Sequence, residues 1–242
     1  MKKTIAVTTF ALTLILACLS VAAQTRDDIL KEIETKRAEI AELEKKVLAT
    51  SNADREEFAA FLTQPDTGLI RLLPREKFDR KLMTLSGGGA YYSFVRKTHE
   101  YGHGSDISLE QGQLSVGFAG ADYGMLLNLG DISLDQVTSE LDPVRALIEY
   151  VPPAREPEAR AEYQKLWQQG MELAGFTFKS GLPAKVSNTY LLRSISHGRS
   201  DTAAAFRVVR KDTDGSMIVV FKVLKKFPVP KLEQTHTASI QE

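Results

Sequence analysis

The chain has 242 residues, 43% of them hydrophobic, with 31 Lys+Arg against 31 Asp+Glu and a single cysteine. That length and apolar share suit one large or two small domains with a sizeable core. Zero formal charge excludes a generic nucleic-acid binder or a polyanionic tail, and one cysteine excludes an internal disulfide or a Cys-rich zinc framework.

Residues 1–23 read as a signal peptide. Lys2 and Lys3 form a positive start, Ile5 to Leu19 an apolar run, and Val21-Ala22-Ala23 puts small residues ahead of Gln24. This pattern places cleavage after Ala23 and the product in the periplasm or outside the cell. Thr4 at its edge and Thr8, Thr9 and Thr13 within it dilute the apolar run, which lies at the short end for a bilayer core about 30 Å thick. Cys18 offers a lipoprotein alternative, in which acyl chains hold the protein at a membrane surface. Leu16, however, is bulky where that signal takes a small residue. Removing 1–23 takes away two lysines, no acid and the cysteine, so the remaining chain is slightly acidic and has no thiol. A chain without thiols has no Cys nucleophile and no thiolate metal site.

Residues 24–50 form a charged segment. From Arg26 to Thr50 there are six basic and seven acidic residues, with no Gly, Pro or aromatic. A heptad with a at Ile33, Ile40 and Val47 sets Ile29, Lys36 and Leu43 at d, so Lys36 alone breaks an apolar seam. A narrow seam on a charged helix is the pattern of a short coiled coil. Three heptads are marginal for an isolated helix, so the seam needs cover. It is expected either to bind a second copy or a protein partner, or to dock on the chain's own domain.

Residues 51–232 read as the globular domain. Ser51-Asn52 caps a short helix over Ala53 to Leu62, with Phe58, Phe61 and Leu62 on one face. Gln64 to Gly68 is turn chemistry. Short strands follow at Leu69–Leu73, Lys81–Leu85, Ala90–Lys97, Ile107–Gln111, Gln113–Phe118 and Tyr123–Leu129, punctuated by glycines. Residues 134–151 are expected to be helical in part, with Pro143 limiting where the helix starts. A helix from Pro157 places Ala159, Tyr163, Leu166, Trp167, Gly170 and Ala174 on one face, which makes Trp167 a core anchor. Strands at Lys185–Ser196, Thr202–Arg210 and Ser216–Lys226 complete the domain, and residues 233–242 form a tail. The sum is an α+β fold, with antiparallel sheets of short strands and inserted helices.

Candidate chemistry is sparse. His99-Glu100-Tyr101-Gly102-His103 spells H-E-x-x-H, a five-residue resemblance to the zincin metallopeptidase motif. That resemblance implies zinc held by His99 and His103, with Glu100 activating a bound water. The segment follows a strand and contains Gly102 with Gly104 behind it, so it reads as a strand–strand loop rather than the helix the motif needs. Ser194, His197 and Asp201 lie around one hairpin turn, spacing unsuited to a nucleophile–base–acid triad. The last hairpin carries Arg207, Arg210, Lys211, Lys222, Lys225 and Lys226 against only Asp212 and Asp214. It reads either as an edge hairpin guarded by lysines or, over residues 207–226, as a contact for an anionic membrane surface. The preferred expectation is an exported envelope or secreted protein, non-enzymatic, acting by binding or assembly through Ile29, Ile33, Ile40, Leu43 and Val47. The alternative is a zinc-dependent hydrolase centred on His99, Glu100 and His103.

Overall fold

A computed structural model describes residues 25–77 and 89–233. The expected signal peptide with its cleavage point, Cys18, the strand expected at 81–85 and residues 234–242 of the expected tail lie outside the described residues. The chain divides between Leu43 and Glu44 into two compact units.

Helix α1, Arg26–Leu48, runs for 23 residues without interruption. Thr25 opens it, since its hydroxyl accepts from the Asp28 amide at 3.2 Å while the Asp28 carboxylate accepts from the Thr25 amide and hydroxyl. Asp27 and Asp28 in the first turn and Lys45 and Lys46 in the last suit the helix dipole. No residue of α1 is buried.

Two short helices follow, α2 (Asn52–Glu57) and α3 (Ala59–Leu62). Ser51 and Asp54 form a reciprocal capping box at the start of α2. The Asp54 carboxylate also pairs with the Arg210 guanidinium, and that hydrogen bond holds its pKa down to about 2.

Eleven strands follow among the described residues. They are β1 (Thr67–Leu72), β2 (Tyr91–Tyr92), β3 (Ile107–Glu110), β4 (Gln113–Ser115), β5 (Tyr123–Gly130), β6 (Met171–Leu173), β7 (Phe176–Phe178), β8 (Gly181–Pro183), β9 (Thr189–Ser196), β10 (Ser200–Lys211) and β11 (Met217–Lys226). A central antiparallel sheet has the order β1-β11-β10-β9-β5, a smaller one β2-β3-β4-β8, and β6-β7 is a separate hairpin. Between β5 and β6 lie a 3-10 turn at Leu134–Gln136, helix α4 (Asp142–Glu149) and helix α5 (Glu156–Gln168). The α+β reading with antiparallel sheets of short strands therefore holds.

The central sheet is covered on both faces. One face joins Tyr190, Leu192, Phe206 and Phe221 to Tyr92, Ile107, Leu109 and Leu114 of the smaller sheet. The other joins Tyr123, Met125, Leu191, Ile195 and Ala205 to Val144, Leu147, Ala159 and Leu166 of the helices. This is why β9 is buried at all eight positions and its sequence does not alternate. Gly68 lies opposite Phe221 in the β1–β11 register, and a Cβ there would come within 2.4 Å of the ring.

Several expectations change. The edge-hairpin reading of the C-terminal strands is overturned, because β10 and β11 are interior strands flanked by β9 and β1. Acids from distant segments meet their basic residues: Arg207 pairs with Asp131, Arg210 with Asp54, and Lys226 with Asp66. The strand expected over 90–97 shortens to Tyr91–Tyr92 before the chain turns, and the one expected from Lys185 begins at Thr189. The helix expected to reach Ala174 stops at Gln168. Gly170, at φ +89°, turns the chain there, and a Cβ would meet the Phe178 carbonyl oxygen at 2.7 Å. Ending the helix there frees Met171–Leu173 to start the β6–β7 hairpin, which periodicity did not reveal.

Trp167 is the plainest correction. It is 67% exposed rather than a core anchor, because Ala159 and Leu166 take the buried face of α5. Acrylamide should therefore quench the fluorescence of this sole tryptophan nearly as well in the native as in the urea-unfolded protein. Strong native protection would contradict the placement.

Candidate functional site

The H-E-x-x-H segment lies in the loop between β2 and β3. Buried Asp106 shapes that loop: its carboxylate accepts from the Phe94 amide at 2.7 Å and the Ser93 hydroxyl at 3.2 Å, ending β2 after two residues. Burial pushes the Asp106 carboxyl up, while hydroxyl and amide donors oppose the shift.

The loop sends its three candidate side chains to three different partners. His99 faces the Arg71 carbonyl through Nε2 at 2.9 Å, with its ring edge-on to Tyr92. Because a carbonyl only accepts, Nε2 carries the proton. Glu100 pairs with Arg96 at 2.8 Å. His103 places Nδ1 2.5 Å from Asp122 Oδ2. The segment is not helical, so its two histidines do not share a face. Among the described residues, no three His, Cys, Asp or Glu side chains are grouped to hold a metal.

His103 nevertheless belongs to a cluster. Asp122, at the start of β5, is its hub. Oδ2 accepts from His103 Nδ1 and from the Ser196 hydroxyl at 3.2 Å, and Oδ1 accepts from the His197 amide at 2.8 Å. The Ser196 hydroxyl lies 2.7 Å from the His103 carbonyl, tying the loop to the end of β9. A carboxylate on Nδ1 fixes the ring orientation and leaves Nε2 as its second functional nitrogen. Phe118 packs edge-on against the His103 ring at 4.9 Å.

Beside this hub is an open cavity of about 470 Å³, lined in part by His103, Asp122, Arg160, His197 and Arg199. These residues come from the β2–β3 loop, the turn before β5, α5 and the β9–β10 turn. The sequence singles out His103 as a zinc ligand and His197 in an unsuited triad, and points to neither as a member of this cluster. No spacing links positions 103, 122, 160, 197 and 199; the one local signal for Asp122 is its place in the glycine-rich turn Gly117 to Gly124. The set Ser194, His197 and Asp201 does not act together, since Asp201 is engaged by Arg193 and the His197 ring bonds neither of the other two.

The seam of α1 is the other candidate. Ile29, Ile33, Leu43 and Val47 are exposed and Ile40 is half-buried. Among the described residues no helix is long and apolar enough to cross a membrane.

Burial lowers the His99 pKa from 6.5, against a smaller opposing effect of the Arg71 carbonyl. The folded protein thus resists a proton that the unfolded chain accepts. The contribution of His99 to stability is complete above about pH 6.5 and declines as pH falls below it. His99→Gln should flatten the pH dependence of urea unfolding below about pH 6.5. An unchanged profile would contradict this.

No family model, curated protein or solved structure matches the chain.

Proposed function

We propose that this is an exported, non-enzymatic protein that works by assembly, with α1 pairing against α1 of a second copy. The carrying observation is that a 23-residue helix has no buried residue while four of its five apolar seam side chains are exposed. A helix of this length is only partly stable alone in water, and helices in proteins draw most of their stability from packing an apolar face. The spacing of Ile29, Ile33, Ile40, Leu43 and Val47 supports a self-complementary seam, and Lys36 in its middle limits register and strength. The basic start, apolar run and Val21-Ala22-Ala23 support export, and the absence of cysteine from residue 24 onward suits an oxidising compartment.

In this reading the α+β unit is what the assembly displays. Light scattering of the protein from Gln24 onward should give twice the chain mass. A double variant, Ile33→Lys with Ile40→Lys, should give the single-chain mass with the same circular dichroism from the sheets. Equal masses for both proteins would overturn pairing through this seam; a monomer in both would point to the seam docking on its own chain.

A further inference from the structure

Three groups at the cavity beside Asp122 are not used up by the fold. His197 has a side chain only 6% exposed, yet neither ring nitrogen has a hydrogen-bond partner. Its Nδ1 stands 3.7 Å from Asp122 Oδ1, beyond bonding range. Buried polar atoms left unpaired carry a desolvation cost that a bound group relieves. Arg160 directs Nε and Nη2 at Glu156, and its Nη1 lies beside Gly120, where a Cβ would be 3.4 Å away. Arg199, exposed on the β9–β10 turn, has no acidic partner among the described residues.

We infer that this cavity binds a small molecule through an oxyanion group, a phosphate or a carboxylate. Arg199 and Nη1 of Arg160 supply charge-assisted donors, the strong kind of hydrogen bond to such a group. His103, whose Nδ1 donates to Asp122, offers Nε2 as an acceptor for a hydroxyl on the ligand, and His197 gains the partner it lacks. Among the described residues Asp122 is the only acid in the lining, and both its oxygens already accept hydrogen bonds, which moderates its repulsion of an anion. Glu156 offsets the charge of Arg160, so Arg199 is the guanidinium left to balance an anion. The cavity of about 470 Å³ exceeds what a bare ion fills, and Ala119, Ala121 and Leu232 give an organic body an apolar wall. None of these residues lies on α1, so the site stands or falls apart from assembly.

The test follows histidine ring-nitrogen NMR signals of the purified protein during titration with inorganic phosphate and, separately, with acetate. At least one anion should shift His103 and His197 saturably while leaving His99 in place, and the tighter of the two identifies the group. Arg199→Ala and Arg160→Ala remove exposed side chains, so the fold should survive, with an unmoved His99 signal as its control. Each should weaken binding about tenfold. Absence of a saturable shift with either anion, or an affinity in both variants unchanged from that of the unsubstituted protein, would overturn the site.

Discussion

One buried ion pair organises the larger unit. Arg193 and Asp201 are each only 2% exposed and meet through two bonds, at 2.9 and 2.8 Å. They face each other diagonally across the β9–β10 hairpin, two residues apart in register. The remaining guanidinium nitrogen donates to the carbonyls of Leu147 and Tyr150, where α4 ends. A cation at a helix C-terminus satisfies carbonyls that the helix leaves open and suits its dipole. The Phe227 ring closes the last side, with its centroid 3.8 Å from the guanidinium carbon. Burying such a charge is tolerable only because every guanidinium nitrogen finds an acceptor.

The pair also fixes where the chain goes next. Asp201 accepts from the Phe227 amide through its own carbonyl at 2.9 Å, and the chain then follows the β9–β10 turn, where Gly198 donates to the Pro230 carbonyl at 2.8 Å. Glu233 donates to Ala154 at 2.8 Å beyond it. This strap and the ion pair hold the turn that carries His197 and Arg199 against Asp122. The cavity is thus assembled by contacts between segments far apart in sequence, with Asp122 as its hub and Arg193 as the anchor behind it. The same economy appears in the surface charges: the basic C-terminal hairpin is offset by Asp54, Asp66 and Asp131, each from another part of the chain.

Local chemistry was the legible part of this fold. The Ser51 cap, the uninterrupted charged run of α1, the glycine and proline breaks and the long C-terminal strands all follow from residues within a few positions of one another. Trp167 and residues 170–174 went astray because a helical period fits several faces, and only packing showed that Ala159 and Leu166 take the inner one. The H-E-x-x-H segment drew attention to His103, but its neighbours in space come from positions 122 and 197, which no local spacing encodes. Arg193 left a clearer trace: a lone charge in the run Thr189 to Ser196, eight residues before an acid across a turn. A strand buried on both faces hides that trace by erasing alternation.

The central claim, that Arg193 and Asp201 act as one unit on which the hairpin, α4 and the cavity wall depend, is best tested by a double-mutant cycle in urea. Asp201→Ala should cost about 3–5 kcal/mol, because it leaves a buried guanidinium unpaired. Adding Arg193→Met should cost far less than its separate effect, giving a coupling energy of about 2 kcal/mol or more. Additive losses, or an Asp201→Ala cost below about 1 kcal/mol, would contradict the account.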